Sequence, residues 1–120
     1  MATIKTYTDL KQSKKLAEIL PTESADMCWC LATKGDSKAV FNEGYNKYGD
    51  FELPCWSLAV LISILPDEIK HDGIVNNLWI TSEDVSYYSK EYDSYLYCEE
   101  GCTVDACVEM ILKLHEKNLL

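Results

Sequence analysis

The chain is expected to fold as an α+β protein: a three-stranded antiparallel sheet, with or without an added hairpin, packed in two layers against three helices. Three observations carry this. The stretch Pro54–Pro66 reads PCWSLAVLISILP, with no charge between its prolines, and an element apolar on every side belongs inside a fold. Downstream, Val75–Thr81, Val85–Lys90 and Tyr92–Cys98 are rich in the β-branched and aromatic residues of strands. The gaps between them are short, which suits antiparallel neighbours, because a parallel crossover needs about a dozen residues. Finally, Val104, Cys107, Val108, Ile111 and Leu114 recur at helical spacing. With 120 residues the expectation is one domain, 1–120, around one core.

In chain order, Thr8 or Asp9 is placed to cap a first helix that runs to about Leu20. Leu10, Ser13, Leu16, Ala17 and Leu20 make its inner side, and Lys11, Lys14, Lys15 and Glu18 its outer side. Pro21 stops it. Met27–Ala32 reads as a strand with Trp29 on one face and Cys28 and Cys30 on the other. Thr33–Ser37 then forms a turn and Ala39–Phe41 begins a return strand, although Met27–Glu43 is also compatible with helix. Gly44–Asp50 reads as a loop. Pro54 suits the first turn of the apolar helix, which Pro66 ends, and Asp67–Gly73 is a polar connection. After the meander, Thr103 caps the last helix, with Asp105 in its first turn and Glu109 and Lys113 as an exposed i,i+4 pair.

Charge narrows the function classes. Twenty acidic residues oppose 11 basic ones, for a net charge of −9, and every basic residue is lysine. Without arginine there is no planar fork for phosphate or guanine, so nucleic acid is not an expected partner. An acidic surface keeps a protein soluble and attracts basic partners. The apolar run is too short to span a bilayer, which takes about 20 residues, so no membrane role is expected. MATIKTYTDLKQSKK has no signal-peptide core, so a cytoplasmic location is expected. There the six cysteines, Cys28, Cys30, Cys55, Cys98, Cys102 and Cys107, stay reduced and pack as small hydrophobes.

Reactive constellations are missing from the pattern. CWC and CEEGC lack zinc-knuckle spacing, so no metal is expected. His71 falls in a connection, and His115 near a helix end that favours positive charge. Glu83–Asp84 and Glu99–Glu100 sit at turns, where carboxylates are solvated. Neither a nucleophile elbow, nor a phosphate loop, nor a dinucleotide fingerprint occurs, so no catalytic residue and no cofactor are assigned. What stands out is aromatic density. Trp79, Tyr87, Tyr88, Tyr95 and Tyr97 are the candidate partner-binding residues, with Tyr87 and Tyr88 on opposite faces and Tyr95 and Tyr97 on the same face.

From Pro54 onward the order helix, strands, helix resembles double-stranded-RNA-binding domains and small toxin domains. The basic residues such domains carry at the last helix are replaced by Thr103, Val104 and Asp105, so that activity does not transfer. DLKQSKKLAEILP (Asp9–Pro21), SADM (Ser24–Met27), PCWSLAVLISILP and VDACVEMILKLHEKNLL (Val104–Leu120) resemble a family of uncharacterised short proteins from phages and mobile elements of gut bacteria. The resemblance implies a genomic setting and a size, with no substrate. The function expected is therefore a small acidic, non-enzymatic protein-interaction module; the alternative is a protein that binds or sequesters a nucleotide-like small molecule. Self-association as a homodimer is compatible with either, because exposed rings and unpaired strands invite it.

Overall fold

A computed structural model describes residues 5–30, 37–41, 52–89 and 95–120. Among the described residues the fold is α+β, with three α-helices and two antiparallel sheets of three and four strands. It divides into two compact units: Thr6–Val60, and Leu61–Leu120 together with Lys5.

In the first unit, helix α1 (Leu10–Ala17) begins at Asp9, whose carboxylate accepts from the Gln12 N–H while the Gln12 side chain returns to the Asp9 N–H. This reciprocal capping box satisfies two orphan donors. Ser13 and Leu16 face inward, and Lys11, Lys14 and Lys15 are exposed as expected. Strands β1 (Met27–Cys30), β2 (Lys38–Phe41) and β3 (Glu52–Cys55) form a sheet in the order β2-β1-β3. The hairpin is therefore present, with Cys28 opposite Val40. Most of the expected turn at Thr33–Ser37, and the expected loop at Gly44–Asp50, lie outside the described residues. Pro54 corrects the sequence reading: it belongs to β3, opposite Cys28, and does not start a helix. Its missing N–H is tolerated because β3 is an edge strand. Thr8 organises the interior of this unit. Its hydroxyl lies 2.7 Å from the Ser13 hydroxyl and accepts from the Trp56 N–H, and its carbonyl accepts from the Trp29 indole.

Helix α2 (Leu58–Ile64) is shorter than the apolar run suggests. Ser57 stands before it, held by the Asp26 carboxylate at 2.9 Å from its N–H and 2.6 Å from its hydroxyl. Burial on all sides is not what is found. Leu61 is fully buried, whereas Ala59, Ile62 and Ser63 are exposed.

The second unit holds β4 (Glu68–His71), β5 (Ile74–Ile80), β6 (Asp84–Tyr88), β7 (Leu96–Glu99) and α3 (Thr103–Glu116). The sheet is a four-stranded meander, β4-β5-β6-β7, and α3 packs on β6 and β7. The fourth strand corrects the expected count. Asp67–Gly73 is no mere connection: Asp72 (φ 52°) and Gly73 (φ 80°) make a two-residue left-handed turn that folds β4 onto β5. Among the described residues the core of this unit includes Val85, Tyr87, Leu96 and Cys98 from the sheet, and Val104, Cys107, Val108, Ile111 and Leu114 from α3, widened by Ala106 and Met110.

Cys102, not Thr103, occupies the N-cap of α3. The Thr103 hydroxyl instead points to the carbonyls of Thr81 and Ser82, at 3.1 and 3.0 Å, tying the helix start to the β5–β6 turn. At the other end Asn118 (φ 58°) takes the left-handed position, and Leu119 N–H reaches the Leu114 carbonyl, closing a Schellman motif. Lys113 does not pair with Glu109. Its ammonium donates to the Tyr97 carbonyl at 3.0 Å.

Candidate functional site

Strand alternation divides the four-stranded sheet into two faces. Leu78, Ile80, Val85, Tyr87, Leu96 and Cys98 share one, and α3 covers β6 and β7 there. The opposite face arranges its side chains in rows across the strands. One row is Trp79, Ser86 and Tyr97, since Trp79 pairs with Ser86 and Ser86 with Tyr97. The next row toward the β5–β6 turn holds Asp84 opposite Glu99. The row on the other side holds Glu68, Asn77 and Tyr88.

Two rings of the central row are open to solvent, Trp79 at 54% and Tyr97 at 47%. Both are held in place. Tyr88 meets the Trp79 indole edge to face, with centroids 5.6 Å apart and planes at 85°, a favoured geometry for aromatic pairs. The Tyr97 hydroxyl donates to Glu99 Oε2 at 2.6 Å, and Asp84 Oδ2 lies 3.3 Å from that hydroxyl. Hydrogen bonding to the Glu99 carboxylate, reinforced by the charges of Glu99 and Asp84, pushes the phenol up to about 12. Asp84 is fixed in turn by the Thr81 hydroxyl at 2.8 Å. Ser86, small and central, is buried between the flanking rings.

Of the five predicted binding residues, Trp79, Tyr88 and Tyr97 come together on this face. Tyr87 does not. It is fully buried beneath α3, and its hydroxyl donates to the Pro66 carbonyl at 2.8 Å. Burial, and secondarily the Asp67 carboxylate, push its phenol far above the usual tyrosine range. Tyr95 also departs from expectation. It precedes β7, and its N–H donates to Tyr87 O although Tyr87 is paired with Leu96. Two residues then face one, the geometry of a β-bulge, which re-aims a side chain. The ring stacks on His71, with centroids 3.8 Å apart, and Lys117 stands 5.8 Å from its centre.

Sequence reasoning passed over Asp84 and Glu99 as solvated turn residues. Their pairing across β6 and β7 becomes visible only once the strand register is known.

Three of the thiols are held protonated by their surroundings. Burial raises Cys55 and Cys98, and takes Cys107 to about 12, the opposite of what a thiolate nucleophile requires. Among the described residues no three His, Cys, Asp or Glu side chains are grouped to hold a metal ion. Among the same residues no helix is long and apolar enough to cross a membrane. Comparison with family models, with curated proteins and with solved structures finds no match.

Proposed function

We propose that the protein is an interaction module that docks a protein partner on the open face of the β4–β7 sheet. The observation that carries this reading is the exposed indole of Trp79, braced by Tyr88 and flanked across Ser86 by Tyr97. Large rings fixed by their neighbours lose little conformational freedom on binding, and aromatic anchors of this kind dominate interface energetics. The rim supplies the chemistry of the partner. Glu68, Asp84 and Glu99 border the rings with Lys70, in a chain of net charge −9, so the complementary surface is apolar at its centre and basic at its margin. A second copy fits this less well, because an isologous contact would set acidic rim against acidic rim.

A non-enzymatic role and an origin on a mobile element belong to the same reading. The nucleotide-like ligand expected as an alternative would need rings that part to admit it. The stacked pair His71–Tyr95 is already closed at 3.8 Å, which favours the protein partner.

A photo-crosslinking amino acid at position 97 tests the proposal, with Glu116 on the exposed side of α3 as control position. In a lysate of the source cell, position 97 should give a discrete adduct that Trp79→Ser abolishes, and position 116 none. The same adducts from both positions, or an adduct indifferent to Trp79→Ser, would refute the docking face.

A further inference from the structure

We infer that Trp79, with Asp84 and Glu99 in the adjoining row, is a receptor for one basic side chain of the partner, arginine in preference to lysine. The inference rests on the docking reading and names the group recognised. Two independent features converge on it. The first is an indole with an exposed surface, held by Tyr88; an aromatic face attracts a cation within about 6 Å of its centroid. The second is a pair of carboxylates gathered on one phenol. Asp84 and Glu99 both approach the Tyr97 hydroxyl, which has one proton for the two of them. Neither forms an ion pair among the described residues, where Asp105 has Lys5 as such a partner. Two negative charges therefore face solvent beside an indole without a cation of their own.

The spacing suits a long basic side chain. Asp84 is the diagonal neighbour of Trp79 across β5 and β6, and such neighbours are about 7–8 Å apart. A guanidinium resting on the indole lies within reach of that carboxylate, and its stem would cross the small Ser86 between the Trp79 and Tyr97 rings. Arginine is favoured because its planar head stacks on rings and can bridge two carboxylates, whereas an ammonium is a strongly hydrated point charge. The receptor chain contains no arginine, so self-association cannot supply the preferred group.

The test is a heteronuclear NMR titration of the full chain with an acetylated Arg-Gly repeat peptide and its citrulline counterpart, which keeps shape and loses charge. The arginine peptide should shift the Trp79 indole N–H together with the Asp84 and Glu99 amides. It should bind at least about tenfold tighter than the citrulline peptide. Ionic strength near 1 M, where the Debye length is about 3 Å, should remove most of that difference. Trp79→Leu, which keeps an apolar residue but no ring, and Glu99→Gln should each weaken the arginine peptide, with melting temperature confirming that both variants fold. Equal binding of the two peptides, undiminished binding to Trp79→Leu, or shifts confined to other surfaces would overturn the cation receptor. The docking face itself falls only with the crosslinking result, so the two failures are distinguishable.

Discussion

Tyr87 and Tyr97 belong to adjacent strands of one sheet, yet they have opposite fates. Tyr87 is sealed under α3 with its hydroxyl on a backbone carbonyl, while Tyr97 stands half open with its hydroxyl between two carboxylates. Residue type does not separate them; the parity of their positions does. Ser86 pairs with Tyr97 and Tyr87 with Leu96, and one step along a strand exchanges the interior for solvent. Buried aromatics hold a fold together, and exposed ones with fixed rotamers are available to a partner.

Mutation should break this contrast most visibly on the covered face. Tyr87→Ala is expected to cost about 3–5 kcal/mol in urea unfolding, as large-to-small changes at buried rings do. Tyr97→Ala should stay within about 0.5 kcal/mol. Equal losses would mean that the two faces are not energetically distinct. Next in size, Thr103→Val removes the hydroxyl that joins α3 to the β5–β6 turn and should cost about 1 kcal/mol. If its urea midpoint is unchanged, the tie contributes nothing.

Alkaline titration sharpens the comparison further. Both phenols hold their protons more tightly in the folded chain than the ordinary value of 10 implies, Tyr97 to about 12 and Tyr87 beyond it. Their contribution to stability is thus complete below about pH 10 and is lost as pH rises through the folded values. Tyrosinate absorbance should show both titrating late, and Tyr97→Phe should remove one late step. A Tyr97 that ionises with unperturbed phenols would show that its hydroxyl is not held by Glu99. Trp79→Ser loses the edge-to-face contact with Tyr88 and should cost only about 0.5–1.5 kcal/mol in urea unfolding, although it should abolish partner binding.

The final helix, the first helix and the strands around Leu78, Tyr87 and Leu96 were legible because each has a period. Their ends were not, since α1 stops at Ala17 before the expected Leu20, and Tyr92–Ser94 of the last expected strand lie outside the described residues. Val104 to Leu114 is an apolar stripe, and Asp9, expected with Thr8 as a candidate cap, is the N-cap of α1. The PCWSLAVLISILP segment misled because hydrophobicity says that residues prefer cover, not which state they adopt. Pro54 is admitted to an edge strand that its helix-starting geometry does not reveal, and α2 leaves Ile62 exposed. The β4–β5 hairpin carried a readable sign, Asp72-Gly73 between Lys70-His71 and Ile74-Val75, obscured by the polarity of Glu68–His71. For the site, alternation correctly parted Tyr87 from Tyr88. It placed Tyr95 with Tyr97 only by ignoring the bulge at the start of β7, and it could not choose which face α3 would cover. That choice depends on contacts far apart in sequence, such as Tyr87 with Pro66.

The Lys113–Tyr97 bond has a consequence for how partners can approach. Tyr97 and Ser86 are partners between two hydrogen-bonded pairs, so the Tyr97 carbonyl points away from β6, where a foreign chain would begin to zip onto the outermost strand. An ammonium from the protein's own helix already sits on that oxygen. Backbone templating is thus obstructed at this carbonyl while the broad side of the sheet stays open. On the proposed docking reading a partner meets side chains on the broad side, and a strand added at the Tyr97 carbonyl would first have to displace Lys113.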